Sequence, residues 1–116
     1  MLNPEDISLE LLNELKKLEP YGLANPPPIF MSENLIICDC RAVGIEGAHL
    51  KMKLGFGSKV FDAIGFKMGP KYASINSKIS DSGSIDVVYA LEENSWGNTS
   101  VLELNLKDIK SHGIEN

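Results

Sequence analysis

The fold of this chain is decided by residues 35–54, which read LIICDCRAVGIEGAHLKMKL. Side chains on a β-strand alternate between its two faces, so a strand that covers a core shows an apolar residue at every second position. Residues 49–54 alternate in this way. Their inward set is Leu50, Met52 and Leu54, and their outward set is His49, Lys51 and Lys53. We therefore predict a strand with its lysines on the outer surface of the fold.

Residues 35–43 alternate as well and form the preceding strand of a hairpin. We expect one face, turned to the core, to carry Ile36, Cys38, Cys40 and Ala42, and the other to carry Ile37, Asp39 and Arg41. A two-residue loop at 45–46 would pair Arg41 with Leu50 and mix polar with apolar residues. An odd loop sets Arg41 and Asp39 opposite His49, Lys51 or Lys53. The sequence therefore predicts a loop of three or five residues.

Three further strands follow, separated by a helical connection. The third strand, at about 59–66, is apolar on both faces, and the sequence leaves open which face is inside. A short helix is predicted within 67–78, and a turn at 94–98 separates the last two strands. Their inward residues are expected to be Ile85, Val87, Tyr89 and Leu91 in the fourth strand, and Leu102, Leu104 and Leu106 in the fifth.

The chain begins with a predicted helix. Asn3 is a candidate N-cap with Pro4 at the first helical position, Ser8 is a rival cap, and the helix should run to about Leu18. The order helix, three strands, helical connection and two strands is that of an OB-fold, a five-stranded and partly open barrel. Sandwiches and SH3-like barrels share the strand count, but the connection after strand three favours the OB-fold. We predict a mainly β fold, a five-stranded OB-fold barrel preceded by an N-terminal α-helix.

The composition limits the function classes. With 116 residues, 43% apolar and 23% charged, the chain should form one globular domain, and short apolar runs with no leader-like N-terminus favour a cytoplasmic protein without membrane contact. The net charge of −5 argues against nucleic-acid binding by the whole surface, so any such contact must be a local patch. Arg41 is the sole arginine, which disfavours sequence-specific readout. We expect Cys38 and Cys40 to be reduced, and their spacing is too short for a zinc site with His49.

Four segments together resemble the C-terminal part of RecJ-type single-strand-specific DNA exonucleases. The first is the proline-rich junction LEPYGLANPPPIF at 18–30, in which Ala24 stands where the family has a second glycine. The others are the strands that contain His49-Leu50-Lys51, Asp62-Ala63-Ile64 and 101–109. The resemblance divides the chain into a helix and proline-rich junction to missing nuclease lobes at 1–30, an OB-fold domain at 31–110 and a tail at 111–116.

The resemblance implies a role in holding single-stranded DNA for a 5′-to-3′ exonuclease, a metal-dependent hydrolase of DNA repair and recombination. The family's Asp-His-His motif is absent, and the histidines are His49 and His112. We therefore expect no catalytic or metal-binding residues and no cofactor in this chain, with Mg²⁺ or Mn²⁺ belonging to the nuclease lobes. The implied partners are single-stranded DNA, those lobes and a single-strand-binding protein. The alternative is a docking module that braces the lobes or recruits repair partners.

OB-folds bind single strands with cationic grooves and aromatic platforms on strands two and three and the nearby loops. We predict DNA contacts from one set of residues in these regions: Arg41, His49, Lys51, Lys53 and Trp96. The competing reading is a solvated strand face on which Asp39 pairs with a lysine. Phe66 is assigned to the core rather than to this surface.

Overall fold

The computed structural model describes residues 1–17, 27–71 and 83–111, without the side chain of Trp96. Residues 18–26 of the junction predicted at 18–30, most of the helical connection predicted within 67–78, and His112 lie outside the described residues. In the described part of the helical connection, residues 67–71, a single 3₁₀ turn spans Gly69–Lys71.

Five strands form a closed barrel. They are β1 (Phe30–Val43), β2 (His49–Phe56), β3 (Lys59–Gly65), β4 (Ser84–Trp96) and β5 (Thr99–Ser111). Their order around the barrel is β1-β2-β3-β5-β4, with β1 paired to β4 to complete the ring. All neighbours are antiparallel except β3 and β5, which run parallel. The prediction of a mainly β, five-stranded OB-type barrel preceded by a helix is confirmed.

The barrel interior is filled by the residues that alternate along its strands. Most of the predicted core residues are buried: Leu50, Met52, Leu54, Ile85, Val87, Tyr89, Leu104 and Leu106, whereas Leu91 and Leu102 are half-buried. Ser32 is a buried polar residue of the barrel, and its hydroxyl donates to the carbonyl oxygen of Leu2 at 2.6 Å. Because that bond uses the single hydroxyl hydrogen of Ser32, the hydroxyl of Tyr89, 2.7 Å away, is the donor of the second bond. Burial raises the pKa of Tyr89.

The predicted inward face of β1 is wrong for half of its residues. Ile36 is 54% exposed and Cys38 is also exposed, whereas Ile37 is buried. The cause is a β-bulge: Ile37 pairs with Leu54 and Asp39 with Lys53, which leaves Cys38 unpaired in the β1–β2 ladder. An extra residue in one strand reverses its inside–outside alternation. Cys40 is therefore buried as predicted, while Ala42, although paired with Leu50, is exposed near the end of the strand.

The β1–β2 loop confirms the predicted odd length. It comprises residues 44–48, of which Ile45–Gly47 form a 3₁₀ turn. The loop sets Arg41 opposite Lys51 and Asp39 opposite Lys53, as the charge argument requires. Gly44 has φ 84°, a left-handed value that favours glycine.

The structure also decides which face of β3 is inside. Gly65 pairs with Leu50, so Phe61, Ala63 and Gly65 face the interior. Val60 is 59% exposed and Phe66 is 56% exposed on the opposite side. The assignment of Phe66 to the core is therefore wrong.

The single N-terminal helix of the prediction is two short elements, because both candidate caps are used. Asn3 caps the 3₁₀ turn Pro4–Asp6, and Ser8 caps α1 (Leu9–Lys16). Between them, Ile7 is buried in the barrel core, and Lys59 Nζ donates to the carbonyl oxygen of Glu5 at 2.6 Å. Farther along, Lys16 forms an ion pair with Glu93 of β4. Among the described residues no helix has the length and apolarity needed to span a bilayer.

Candidate nucleic-acid interface

The outer surface of β1, β2 and β3, here called the β1–β3 face, brings together four of the five predicted site residues. Arg41 lies opposite Lys51, Lys53 lies opposite Asp39, and His49 lies opposite Val43. Lys51 and Lys53 alternate with the buried Leu50, Met52 and Leu54, so the same pattern that builds the core turns the lysines outward. The resulting surface is continuous across the three strands.

Each of the three predicted cations of the β1–β3 face has a carboxylate partner. Arg41 Nε lies 3.0 Å from Asp39 Oδ2, and Lys53 Nζ lies 3.0 Å from Asp62 Oδ1. Lys51 Nζ lies 3.5 Å from Glu103 Oε2, which reaches across from β5. Three positive and three negative charges therefore cancel on this part of the surface. The Arg41 and Lys53 pairs are exposed and contribute about 0–1 kcal/mol each, so a phosphate can compete for these cations, whereas the Glu103 partner of Lys51 is largely buried.

His49 is held in one orientation. Its Nδ1 accepts a hydrogen bond from the backbone N–H of Lys67 at 2.9 Å, so the neutral ring carries its hydrogen on Nε2. The other flank packs on Gly44, where a Cβ would lie 2.8 Å from Cδ2 of the ring. The ring also meets Phe66 edge-on, with 5.4 Å between centroids and planes at 76°.

Phe66 and Lys67 are exposed residues of this surface that the sequence prediction missed. A usable signal was present in the turn at Gly57 and Ser58. Phe56 pairs with Lys59 across this two-residue turn, and continuing the same register places Phe66 opposite His49 on the outer face. The sequence prediction did not use this register and assigned Phe66 to the core.

Trp96 lies apart from the other predicted residues. It ends β4 and pairs with Thr99 at the β4–β5 turn. Its side chain lies outside the described part of the structure, so the predicted DNA contact of Trp96 stays a prediction. Thr99 precedes Glu103 by four residues, which corresponds to about 13 Å along an extended strand. Because β5 runs parallel to β3, this turn lies toward the start of β3, away from the β1–β2 loop.

The thiols and acids of the described residues form no metal site. No group of three His, Cys, Asp or Glu side chains in this part of the chain is arranged to hold a metal ion. The Mg²⁺ or Mn²⁺ that the resemblance assigns to the nuclease lobes thus has no ligand set among these residues. Cys38 and Cys40 are both free thiols, and burial, with a smaller contribution from the Asp39 charge, raises the pKa of Cys40 from 9.0 to about 11.

Comparison with known proteins places this chain in a family. The sequence model described as the RecJ OB domain matches residues 1–108. The single-stranded-DNA-specific exonuclease RecJ of Bacillus subtilis (strain 168) is 32% identical over 104 residues, which cover 90% of this chain and 13% of that protein. The chain therefore spans about an eighth of the length of this relative.

Two solved structures show the same fold. RecJ from Thermus thermophilus in complex with Mn²⁺ is 26% identical with a TM-score of 0.62, and the match covers 88% of this chain and 14% of that one. The second single-stranded-DNA-binding protein, SSBb, of Mycobacterium smegmatis is 16% identical with a TM-score of 0.53, covering 72% of this chain and 84% of its own. The latter likeness concerns the fold alone. The resemblance inferred from the sequence motifs is confirmed, and this chain belongs to the RecJ OB domain family.

Proposed function

We propose that this chain is a single-stranded-DNA-binding module that holds the strand for the nuclease lobes of a RecJ-type exonuclease. The observation that carries the proposal is the register that sets Arg41 beside Lys51 on one outer face of an OB barrel. Further support comes from the relatives, since the Bacillus subtilis protein is named a single-stranded-DNA-specific exonuclease. The 5′-to-3′ polarity, the cytoplasmic location and the role in repair and recombination extend the proposal from the family resemblance.

The charges of the β1–β3 face determine how such a module would bind. A strand crossing the face would exchange its phosphates for the carboxylates of Asp39, Asp62 and Glu103 as partners of the three cations. The exchange releases few counterions and starts from a surface that is already neutral. Binding by the isolated chain should therefore be weak, sensitive to salt and nearly independent of base sequence.

The test is fluorescence anisotropy with a fluorescein-labelled oligothymidylate over a range of salt concentrations. The phosphate contacts of Arg41, Lys51 and Lys53 should together contribute about −2 to the slope of log K against log salt on a single strand. Replacing Lys51 and Lys53 with Ala should flatten this slope by about 1.4. The matched control replaces Lys107 and Lys110, two exposed lysines of β5, and should keep the wild-type slope. Wild-type affinity and slope in the Lys51→Ala, Lys53→Ala variant would exclude the β1–β3 face as the DNA site.

Catalysis is assigned to the nuclease lobes and not to this chain. We expect no shortening of a labelled oligonucleotide on a denaturing gel when the purified chain is incubated with Mg²⁺ or Mn²⁺. Metal-dependent degradation that co-purifies with the chain through successive columns would contradict this assignment.

A second candidate function, docking to the nuclease lobes, is favoured by an apolar stripe on the same face. Gly55 pairs with Ile36 on one side and Val60 on the other, and both of these side chains are more than half exposed. This reading predicts no salt-sensitive binding of the oligothymidylate. It also predicts that Ile36→Ser with Val60→Ser weakens association with the separately purified lobes, whereas Lys51→Ala with Lys53→Ala does not.

A further inference from the structure

An exposed aromatic pair stands at the end of the β1–β3 face nearest the β1–β2 loop. Phe66 follows β3 directly and lies 5.4 Å, centroid to centroid, from His49, the first residue of β2. Phe66 is 56% exposed, so most of its ring is in contact with solvent. A large apolar ring left in this position has no role in filling the barrel interior.

The surroundings of Phe66 are fixed rather than loose. The imidazole of His49 is held by the N–H of Lys67 on one side and by Gly44 on the other. Beneath it, the N–H of Gly69 donates to the carbonyl oxygen of Ala48 at 3.0 Å, which ties the segment after β3 to the β1–β2 loop. The approach is so close that a Cβ on Gly69 would lie 1.7 Å from the carbonyl oxygen of Gly47. A ligand that stacks on Phe66 would therefore order little additional chain.

The charge at this end of the face differs from the rest. Arg41, Lys51 and Lys53 are each paired with a carboxylate. Lys67, next to Phe66, is exposed and has no ion-pair partner within the described ranges of the chain. An uncompensated ammonium beside an exposed ring is suited to a ligand that has both a flat apolar surface and a negative charge, as a nucleotide does.

We propose that Phe66, braced by His49, is the stacking platform for one unpaired base of single-stranded DNA, and that Lys67 contacts an adjacent phosphate. The inference rests on the proposed function and deepens it by naming the base-binding position. The apolar stripe of Ile36 and Val60 carries aliphatic side chains only, so it offers no ring for stacking.

The experiment follows stacking directly with an oligothymidylate that contains one 2-aminopurine, a fluorescent base whose emission falls when it stacks. The wild-type chain should quench the emission and bind in the anisotropy assay. Phe66→Leu should lose the quenching and bind about tenfold more weakly, with an unchanged salt slope, because stacking releases no counterions. Phe66→Tyr should retain both signals. Lys67→Ala should instead flatten the slope by about 0.7.

The matched control is Ile29→Ala, which changes a similarly exposed apolar residue just before β1 and should bind as the wild type does. Circular dichroism establishes that each variant is folded. If Phe66→Leu quenches and binds like the wild type, or if Phe66→Tyr is as weak as Phe66→Leu, the platform is wrong while the proposed function stands. If the wild-type chain does not bind the oligonucleotide at low salt, the proposed function fails and the platform fails with it.

Discussion

Cys38 and Cys40 show how one extra residue in a strand gives two neighbouring thiols different chemistry. Cys38 is exposed at the bulge, while Cys40 is 4% exposed and its pKa is raised from 9.0 to about 11. Thiolates react with disulfide reagents and thiols do not. The native chain should therefore consume one equivalent of such a reagent at neutral pH and two in denaturant.

The raised pKa of Cys40 predicts a loss of stability in alkaline solution. The unfolded state loses the thiol proton near pH 9 and the folded state near pH 11, so deprotonation favours the unfolded chain between these values. The contribution of the buried thiol is complete below pH 9 and should fall by on the order of 2 kcal/mol by pH 11. Urea unfolding at several pH values measures this slope. Cys40→Ala removes the titrating group, so an equally steep decline in that variant would contradict the prediction.

The site residues that could be predicted from the sequence are those whose neighbours are close along the chain. The odd β1–β2 loop was enough to place Arg41 opposite His49, Lys51 or Lys53, and the structure selects Lys51. The acid that partners Lys51, Glu103, lies 52 residues away on a strand whose position depends on barrel closure. The alternation of polar and apolar residues within one strand does not indicate which residues of a distant strand lie beside it. The near-neutral charge of the β1–β3 face could therefore be found only from the structure.

At the scale of the sheet, the proposed binding mode predicts that the carboxylates of the β1–β3 face compete with phosphate for its cations. Replacing Asp62 with Asn and Glu103 with Gln should free Lys53 and Lys51 while keeping the size of the side chains. We expect single-stranded DNA affinity to rise by about two- to tenfold, which corresponds to the worth of one exposed and one partly buried ion pair. Anisotropy titration at low salt measures the gain.

A control for this gain changes the net charge equally at a distant place. Glu10→Gln with Glu14→Gln neutralises two exposed acids of α1, which contacts β4 through the Lys16–Glu93 ion pair and not the β1–β3 face. If that variant gains as much affinity as the first, the effect is one of overall charge and not of competition within the face.

The strands themselves differ in how well alternation predicts them. β2 is regular, and all of its predicted inward residues are buried. Each of these residues pairs with one residue of β1 and one residue of β3, so the alternation of the strand is not interrupted. β1 contains two irregularities, at Ser32/Leu35 and Ile37/Asp39, each of which changes the parity. The run of apolar residues at 35–38 satisfies either parity, so nothing in the sequence locates the bulge.

The contact between the β1–β2 loop and the turn after β3 should be sensitive to a single methyl group. Gly69→Ala would place a Cβ 1.7 Å from the carbonyl oxygen of Gly47, and backbone at that distance must move. We expect a loss of about 1–3 kcal/mol in the free energy of unfolding, measured in urea. Lys71→Ala, in the same turn but exposed, should cost less than about 1 kcal/mol. Equal effects of the two variants would show that this contact is not tight.

On the scale of the whole molecule, the N-terminal segment is part of the barrel. Ile7 is 2% exposed and packs with residues from several strands. Ile7→Ala should lower the free energy of unfolding by about 2–4 kcal/mol, since it removes buried methylene groups and leaves a cavity. Leu9→Ala, at a position 44% exposed, should cost less than half as much. A large loss at Leu9 with none at Ile7 would contradict this account of the segment.

The parallel pairing of β3 with β5 has a kinetic consequence. It joins Asp62 to Glu103 and Ile64 to Asn105, residues 41 positions apart, and β1 meets β4 between Phe30 and Tyr89, 59 positions apart. These are the seams that close the ring, and neither can form before a long stretch of chain has been drawn together at an entropic cost. The β1–β2 and β2–β3 hairpins can form early because their strands are close along the chain. Their apolar inner face is shielded from water only when the β3–β5 and β1–β4 pairings have formed. Folding should therefore be slow, on the millisecond-to-second scale, because both long-range pairings must form before the barrel is closed.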